Sequence, residues 1–136
     1  MIVFISCGKK KQKRMCAAQD MYTGDLFKKS LMYARSLEPN EIYILSAKYG
    51  LLGLDDIIEP YEKTLNGATK TDQKRWAENV IFQMESRRIN FNDKAVFLCG
   101  KNYRKNIIQK FKNGIAPLSG MGIGKQLQFY NQNRSV

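Results

Sequence analysis

Leu45-Ser46-Ala47-Lys48-Tyr49-Gly50-Leu51-Leu52 is the stretch on which the reading of this chain turns. Ile42 to Leu45 is a β-branched, aromatic and aliphatic run, the composition of a buried strand. It stops abruptly in Ser46-Ala47, followed by Lys48, Tyr49 and Gly50. Two other apolar runs stop the same way: Ile2-Val3-Phe4-Ile5 enters Ser6-Cys7-Gly8-Lys9, and Val96-Phe97-Leu98 enters Cys99-Gly100-Lys101. A weaker fourth copy is Ala116-Pro117-Leu118-Ser119-Gly120, with Gly124-Lys125 beyond it. In an open parallel sheet the carboxyl ends of the strands share one edge, where such sheets bind ligands. Small residues there let a ligand approach the backbone, and a lysine beside each favours anions such as phosphates. A single instance is ordinary loop chemistry; recurrence at three strand ends favours the ligand-binding reading.

Working outward, the apolar runs alternate with helical patterns, which predicts an α/β fold. The expected architecture is a Rossmann-like three-layer domain with a mainly parallel sheet of four strands or slightly more. The strands are placed near 2–6, 42–46, 95–99 and 115–118, all mutually parallel. Between the first two, Thr23 can cap a helix to about Leu37, with Phe27, Leu31, Ala34 and Leu37 on its apolar stripe. Residues 53–70 lack a clean period and read as a long ordered loop holding at most one helical turn; long loops in compact domains are often functional. Thr71 is placed as the cap of a second long helix to about Arg88, burying Trp76, Val80, Ile81 and Met84. Tyr103, Ile107, Ile108 and Phe111 mark a further helix that Asn113-Gly114 ends. Ile123, Leu127 and Tyr130 suggest a last one, after which residues 131–136 are expected to fray.

A length of 136 residues predicts one domain, and 43% hydrophobic with 26% charged residues is ordinary for a soluble globular protein. No apolar run approaches the roughly 20 residues that span a bilayer. The first apolar run precedes its charges, unlike a secretory leader, so no membrane association and a cytoplasmic location are expected. Lysine and arginine number 23 against 12 acidic residues, a net charge of +11, which favours a polyanionic partner. Lys9 to Arg14 alone holds five basic residues in six positions and leaves directly from a strand end. Cys7, Cys16 and Cys99 have no paired spacing and read as reduced thiols. The chain has no histidine, which excludes Ser-His-Asp and Cys-His triads, His-dependent metal centres and an imidazole base. Acid–base work falls to Asp, Glu, Tyr, Lys or Cys. No cofactor and no metal are implied.

Gly120-Met121-Gly122-Ile123-Gly124-Lys125 is not a Walker sequence: Ser119 stands where the leading glycine belongs, and Gln126 replaces the magnesium-binding Ser or Thr. Two readings stay open for it, a glycine-rich turn holding one phosphate at a helix N-terminus and a plain structural turn.

Together, Ser6-Cys7-Gly8-Lys9, Met21-Tyr22-Thr23-Gly24 with Phe27, Ser46-Ala47-Lys48-Tyr49-Gly50-Leu51, Pro60-Tyr61-Glu62 with Thr64-Leu65, and Gly100 with Tyr103 form a recognisable set. The set resembles a family of small bacterial, archaeal and phage domains of unassigned function related to the YaaA peroxide-stress proteins. The resemblance covers nearly the whole chain, with Ser-Ala-Lys-Tyr-Gly-Leu its most specific piece. It implies an α/β fold with these motifs on one face, and association with nucleic-acid metabolism.

The expected partner is therefore a nucleotide or nucleic acid, with chemistry at the base or its N-glycosidic bond. Glycosidic cleavage suits a chain without imidazole, because its oxocarbenium-like transition state calls for carboxylates. Glu62 is the leading carboxylate, with Asp20 and Asp56 behind it, and Lys48 is the candidate catalytic cation. Lys48 is expected to face one cavity with Ser6, Cys7 and Gly100. Ser6, Cys7, Gly8, Lys9, Ser46, Ala47, Gly50, Gly100 and Gly124 are candidate backbone and phosphate contacts; Tyr22, Tyr49, Tyr61 or Tyr103 would stack a base. The alternative is a non-catalytic nucleic-acid or nucleotide-binding accessory protein of a stress or phage system.

Overall fold

The computed structural model describes residues 1–133. In chain order the elements are β1 (Ile2–Ser6), β2 (Cys16–Ala17), α1 (Ala18–Met21), α2 (Asp25–Ser36), β3 (Glu41–Ser46), β4 (Gly50–Gly53) and β5 (Ile57–Ile58). Then follow α3 (Lys70–Ser86), β6 (Lys94–Leu98), α4 (Lys101–Arg104), a 3-10 turn at Ile108–Lys110, β7 (Asn113–Ile115) and α5 (Ile123–Gln132).

The fold is α/β around a five-stranded sheet in the order β4-β3-β1-β6-β7. β1 pairs in parallel with β3 on one side and β6 on the other, placing Ile2 opposite both Glu41 and Ala95. β7 extends the parallel set from β6. β1 is buried on both faces, with Val3, Phe4 and Ile5 wholly shielded, which is why it is a continuous apolar run. Phe4, Tyr43, Leu45, Ala95 and Phe97 point to the face covered by α3 and by the segment around Tyr103, Ile107 and Phe111. Val3, Ile5, Ile44, Val96 and Leu98 point to the face covered by α1, α2 and α5. These are the three layers the alternation of strands and helices predicts.

Several local expectations are corrected. Gly50-Leu51-Leu52-Gly53 is not a ligand-approach loop but an antiparallel strand, closing a hairpin in which Ser46 pairs with Gly50. Gly24, not Thr23, is the N-cap of α2, without a side-chain bond. Thr69, not Thr71, caps α3, its hydroxyl accepting from the Asp72 N–H at 3.1 Å. The helix expected over 103–111 breaks after Arg104 into a short 3-10 turn, and Asn113-Gly114 opens β7 instead of ending a helix. The last parallel strand accordingly lies at 113–115, before the expected 115–118. Part of the 53–70 segment forms β5, paired antiparallel with β2. α5 continues through Gln132, and the rest of the expected fraying, at 134–136, lies outside the described residues. Among the described residues no helix is long and apolar enough to cross a membrane.

Candidate functional site

After β1 the chain turns towards α2 on one face of the sheet; after β6 it turns towards Tyr103 and Ile107 on the other. The connections leaving these neighbouring strands therefore part, which opens a crevice at their carboxyl ends, the usual ligand position in such sheets. Ser6, Cys7 and Gly8 leave β1 there, half-buried, beside Ser46-Ala47 from β3 and Cys99-Gly100 from β6. Gly100 is the N-cap of α4, and a side chain at that position would meet open space.

Three tyrosines converge on this edge from distant parts of the chain. Tyr61 Oη lies 2.8 Å from Tyr22 Oη and 2.8 Å from Ser46 Oγ, all buried. Ser46 Oγ accepts from the Tyr49 N–H at 3.0 Å, and the Trp76 indole N–H donates to the Ser46 carbonyl at 2.8 Å. Tyr103 Oη accepts from the Leu65 N–H at 3.3 Å and from the Cys7 thiol at 3.7 Å. Trp76 meets the Tyr103 ring edge-on, and the Tyr49 ring meets Tyr61 the same way. Burial pushes Tyr22 and Tyr103 up to about 12, and it raises Tyr61 as well. All three are neutral phenols at neutral pH, able to donate and accept hydrogen bonds but not to serve as ready bases.

The basic loop is fastened to this cluster. Thr23 N–H donates to the Lys10 carbonyl and Gln12 N–H to the Met21 carbonyl, while Lys11 forms an isolated bridge with Tyr22. Lys11 Nζ consequently sits 4.4 Å from the Tyr61 ring centroid and 5.9 Å from that of Tyr22. A cation over neutral phenol faces is held by the ring quadrupole. In the sequence Lys11 is one cation of a charged run, and nothing local marks it out from Lys9, Lys10 or Lys13.

The other nominated residues fall in varied places. Lys48 is exposed at the hairpin turn, 5.3 Å from the Tyr49 ring, and is not enclosed in a cavity with Ser6, Cys7 and Gly100 as expected. The hairpin reverses within three residues and throws the Lys48 side chain outward. Tyr49 is half-buried, its hydroxyl accepting from the Glu59 N–H at 3.2 Å. Gly50 has φ +76°, and the room a side chain would need there is taken by the Gln83 amide. Its smallness serves the junction with α3. Lys9, Asp20, Glu62 and Gly124 are exposed. Asp56 accepts from the Gly53 N–H at 2.7 Å and pairs with Arg87 at 2.8 Å, which makes it a structural carboxylate. Among the described residues no carboxylate bonds to the hydroxyls of Tyr22, Tyr61 or Tyr103.

No curated protein matches the chain. A family model does, across residues 2–132, which is nearly the full length and takes in every element described above. The chain belongs to the family of unknown function DUF6884.

Proposed function

We propose that this protein binds a nucleotide or nucleic-acid segment across the carboxyl edge of β1, β3 and β6, and acts on the base or its N-glycosidic bond. The observation that carries the reading is the Lys9–Arg14 loop docked on the Tyr22–Tyr61–Ser46 cluster, with Lys11 Nζ 4.4 Å from the Tyr61 ring. Cations beside an accessible aromatic face are the elements of single-strand recognition, where each stacked base contributes about 1–3 kcal/mol. Tyr22, Tyr61 and Tyr103 are buried and so, against expectation, offer no face to a base. Lys9, Lys10 and Lys11 would hold phosphates, and Tyr49, half-buried beside exposed Lys48, offers a ring for stacking. Glu62 follows Tyr61 directly and is free of ion pairs among the described residues, so it is the carboxylate available to stabilise charge on the sugar. The likeness of the motif set to the YaaA-related domains points the same way.

The second reading, binding without turnover in a stress or phage system, is favoured by one specific observation. Asp20 and Glu62 are both exposed, and Asp56 is engaged by Arg87. Fluorescence anisotropy with labelled oligonucleotides at two salt concentrations, run beside chromatography for released base, separates the two. Salt-sensitive binding with base release that Glu62→Gln abolishes supports the enzyme. Binding with no released base from any nucleotide or modified DNA leaves the accessory protein. Absence of binding at low salt sinks both.

A further inference from the structure

Between the carboxyl end of β6, α4 and the turn leading into α5 lies a cleft of about 460 Å³. Among the described residues its walls carry two cations, Lys101 and Arg104, and no carboxylate. This is a regional property, because no Asp or Glu follows Asp93 in the sequence. Arg104 is half-buried, forms no ion pair among the described residues, and its Nε is shielded from solvent without a hydrogen-bond partner. Cys99, on the same wall, does not compensate it. Burial pushes that thiol up to about 12, although the Arg104 charge pulls the other way, so the sulfur stays neutral. A second shielded polar atom without a partner among the described residues, the Tyr130 hydroxyl, belongs to a buried residue of the same apolar cluster as Leu118, which lines the cleft.

The opposite wall is backbone. At Gly120 (φ +80°) and Gly122 a side chain would meet open space, so a ligand can reach the main chain there. Gly122 is the N-cap of the ten-residue helix α5 and supplies no side-chain cap. The first intrahelical bond runs from the Gln126 N–H to the Gly122 carbonyl, which leaves the N–H groups of Ile123, Gly124 and Lys125 without helical acceptors. A guanidinium without an ion-pair partner among the described residues, lining one cleft with the Gly120–Gly122 backbone, suits a compact oxyanion of phosphate type.

We propose that this cleft is a phosphate subsite, with Arg104 as the charged donor and the Gly120–Gly122 turn as the backbone cradle. It is separate from the Lys9–Arg14 loop but shares α4 with the tyrosine cluster, since adjacent residues Tyr103 and Arg104 line one and the other. The proposal rests on the nucleotide reading only for what carries the phosphate.

The test is a titration of isotope-labelled protein with inorganic phosphate, followed by NMR at the amides of Gly120, Gly122 and Ile123 and at Arg104 Nε. Saturable shifts confined to these groups are expected. Arg104→Gln should weaken phosphate binding at least about tenfold, without lowering the melting temperature, because it removes an uncompensated cation. Arg104→Lys should restore only part, since an ammonium cannot reproduce the fork. Gly122→Ala, whose methyl enters open space, should weaken binding while the protein stays folded. Non-saturating shifts scattered over exposed lysines mean an adventitious ion only and overturn the site; so does wild-type affinity in folded Arg104→Gln or Gly122→Ala. Repeating the titration with a nucleoside 5′-monophosphate separates the two ideas. Binding no tighter than that of inorganic phosphate, still lost in Arg104→Gln, supports the subsite while removing the nucleotide reading. Oligonucleotide binding that persists in Arg104→Gln, with no phosphate shift at Gly122, overturns the subsite and spares that reading.

Discussion

The Tyr61 hydroxyl stands 2.8 Å from both Tyr22 Oη and Ser46 Oγ inside the protein, so Tyr61→Phe strips two buried hydrogen bonds while keeping the ring. Leaving the partners unsatisfied should cost about 1–3 kcal/mol, read as a lowered denaturant midpoint at unchanged slope. Lys48→Ala, at an exposed turn, should change stability by less than about 0.5 kcal/mol. The tyrosines also set an alkaline limit. Below pH 10 they are protonated in both folded and unfolded chains and leave stability flat. Above it the unfolded chain sheds phenolic protons at the ordinary value of 10, while folded Tyr22 and Tyr103 keep theirs to about 12. The unfolded state then binds fewer protons, so stability falls as pH rises through this window. Thermal melts should be nearly constant from about pH 6 to 9, where no histidine titrates, and drop by several degrees by about pH 11. A flat profile to pH 11 would mean that these phenols are not protected in solution.

Gln83 of α3 bonds twice to the backbone of the β3–β4 hairpin, alongside the Trp76 bond to Ser46. Gln83 accepts from the Leu51 N–H at 2.8 Å and donates to the Tyr49 carbonyl at 3.0 Å. Gly50 has φ +76° between those two contacts, so Gly50→Ala meets backbone strain of about 1–2 kcal/mol and also displaces the amide. We expect a loss above about 2 kcal/mol. A double-mutant cycle with Gln83→Ala should be strongly non-additive, since the first change already breaks what the second removes. At the start of α3, Thr69→Ala should cost about 1 kcal/mol through the lost cap, whereas Thr71→Ala, inside an exposed first turn, should be neutral or slightly stabilising. Equal effects of the two substitutions would contradict the observed cap.

On the proposed reading, the charge of +11 acts at the scale of the whole molecule by attracting a polyanion. Joint replacement of Lys9, Lys10 and Lys11 by Ala should flatten the slope of log affinity against log salt by about 2, as phosphate contacts and their released counterions are lost. The melting temperature should move little, because Lys9 and Lys10 are exposed and the Lys11–ring contact contributes only about 0.5–1 kcal/mol. A wild-type salt slope in the triple variant would reduce the loop to a solvated surface.

The strands at Ile2–Ser6, Glu41–Ser46 and Lys94–Leu98 could be read from the sequence because each is a continuous apolar run, the mark of a strand buried on both faces. The stripes of α2 and α3 were legible for the same reason: burial imposes a period. The caps were not, since Thr23, Thr69 and Thr71 are equivalent in composition and only backbone geometry chooses among them. The hairpin at Gly50–Gly53 is not legible in the sequence, because small residues signal a turn and a ligand approach alike. Tyr22, Tyr61 and Tyr103 could be nominated singly, but residue types carry no record of which hydroxyls meet. Glu62 shows the converse, a carboxylate singled out by its neighbours and left in solvent by the fold. The sequence by itself determined the layers, the parallel core and the basic character, because these follow from hydrophobic periodicity and net charge, which are sums over the chain. Only the tertiary structure decided that Lys11 lies over Tyr61, that Gln83 fills the space at Gly50, and that Arg104 lines one cleft with the Gly120–Gly122 turn. Each of these joins residues far apart in the chain, and only packing brings them within contact range.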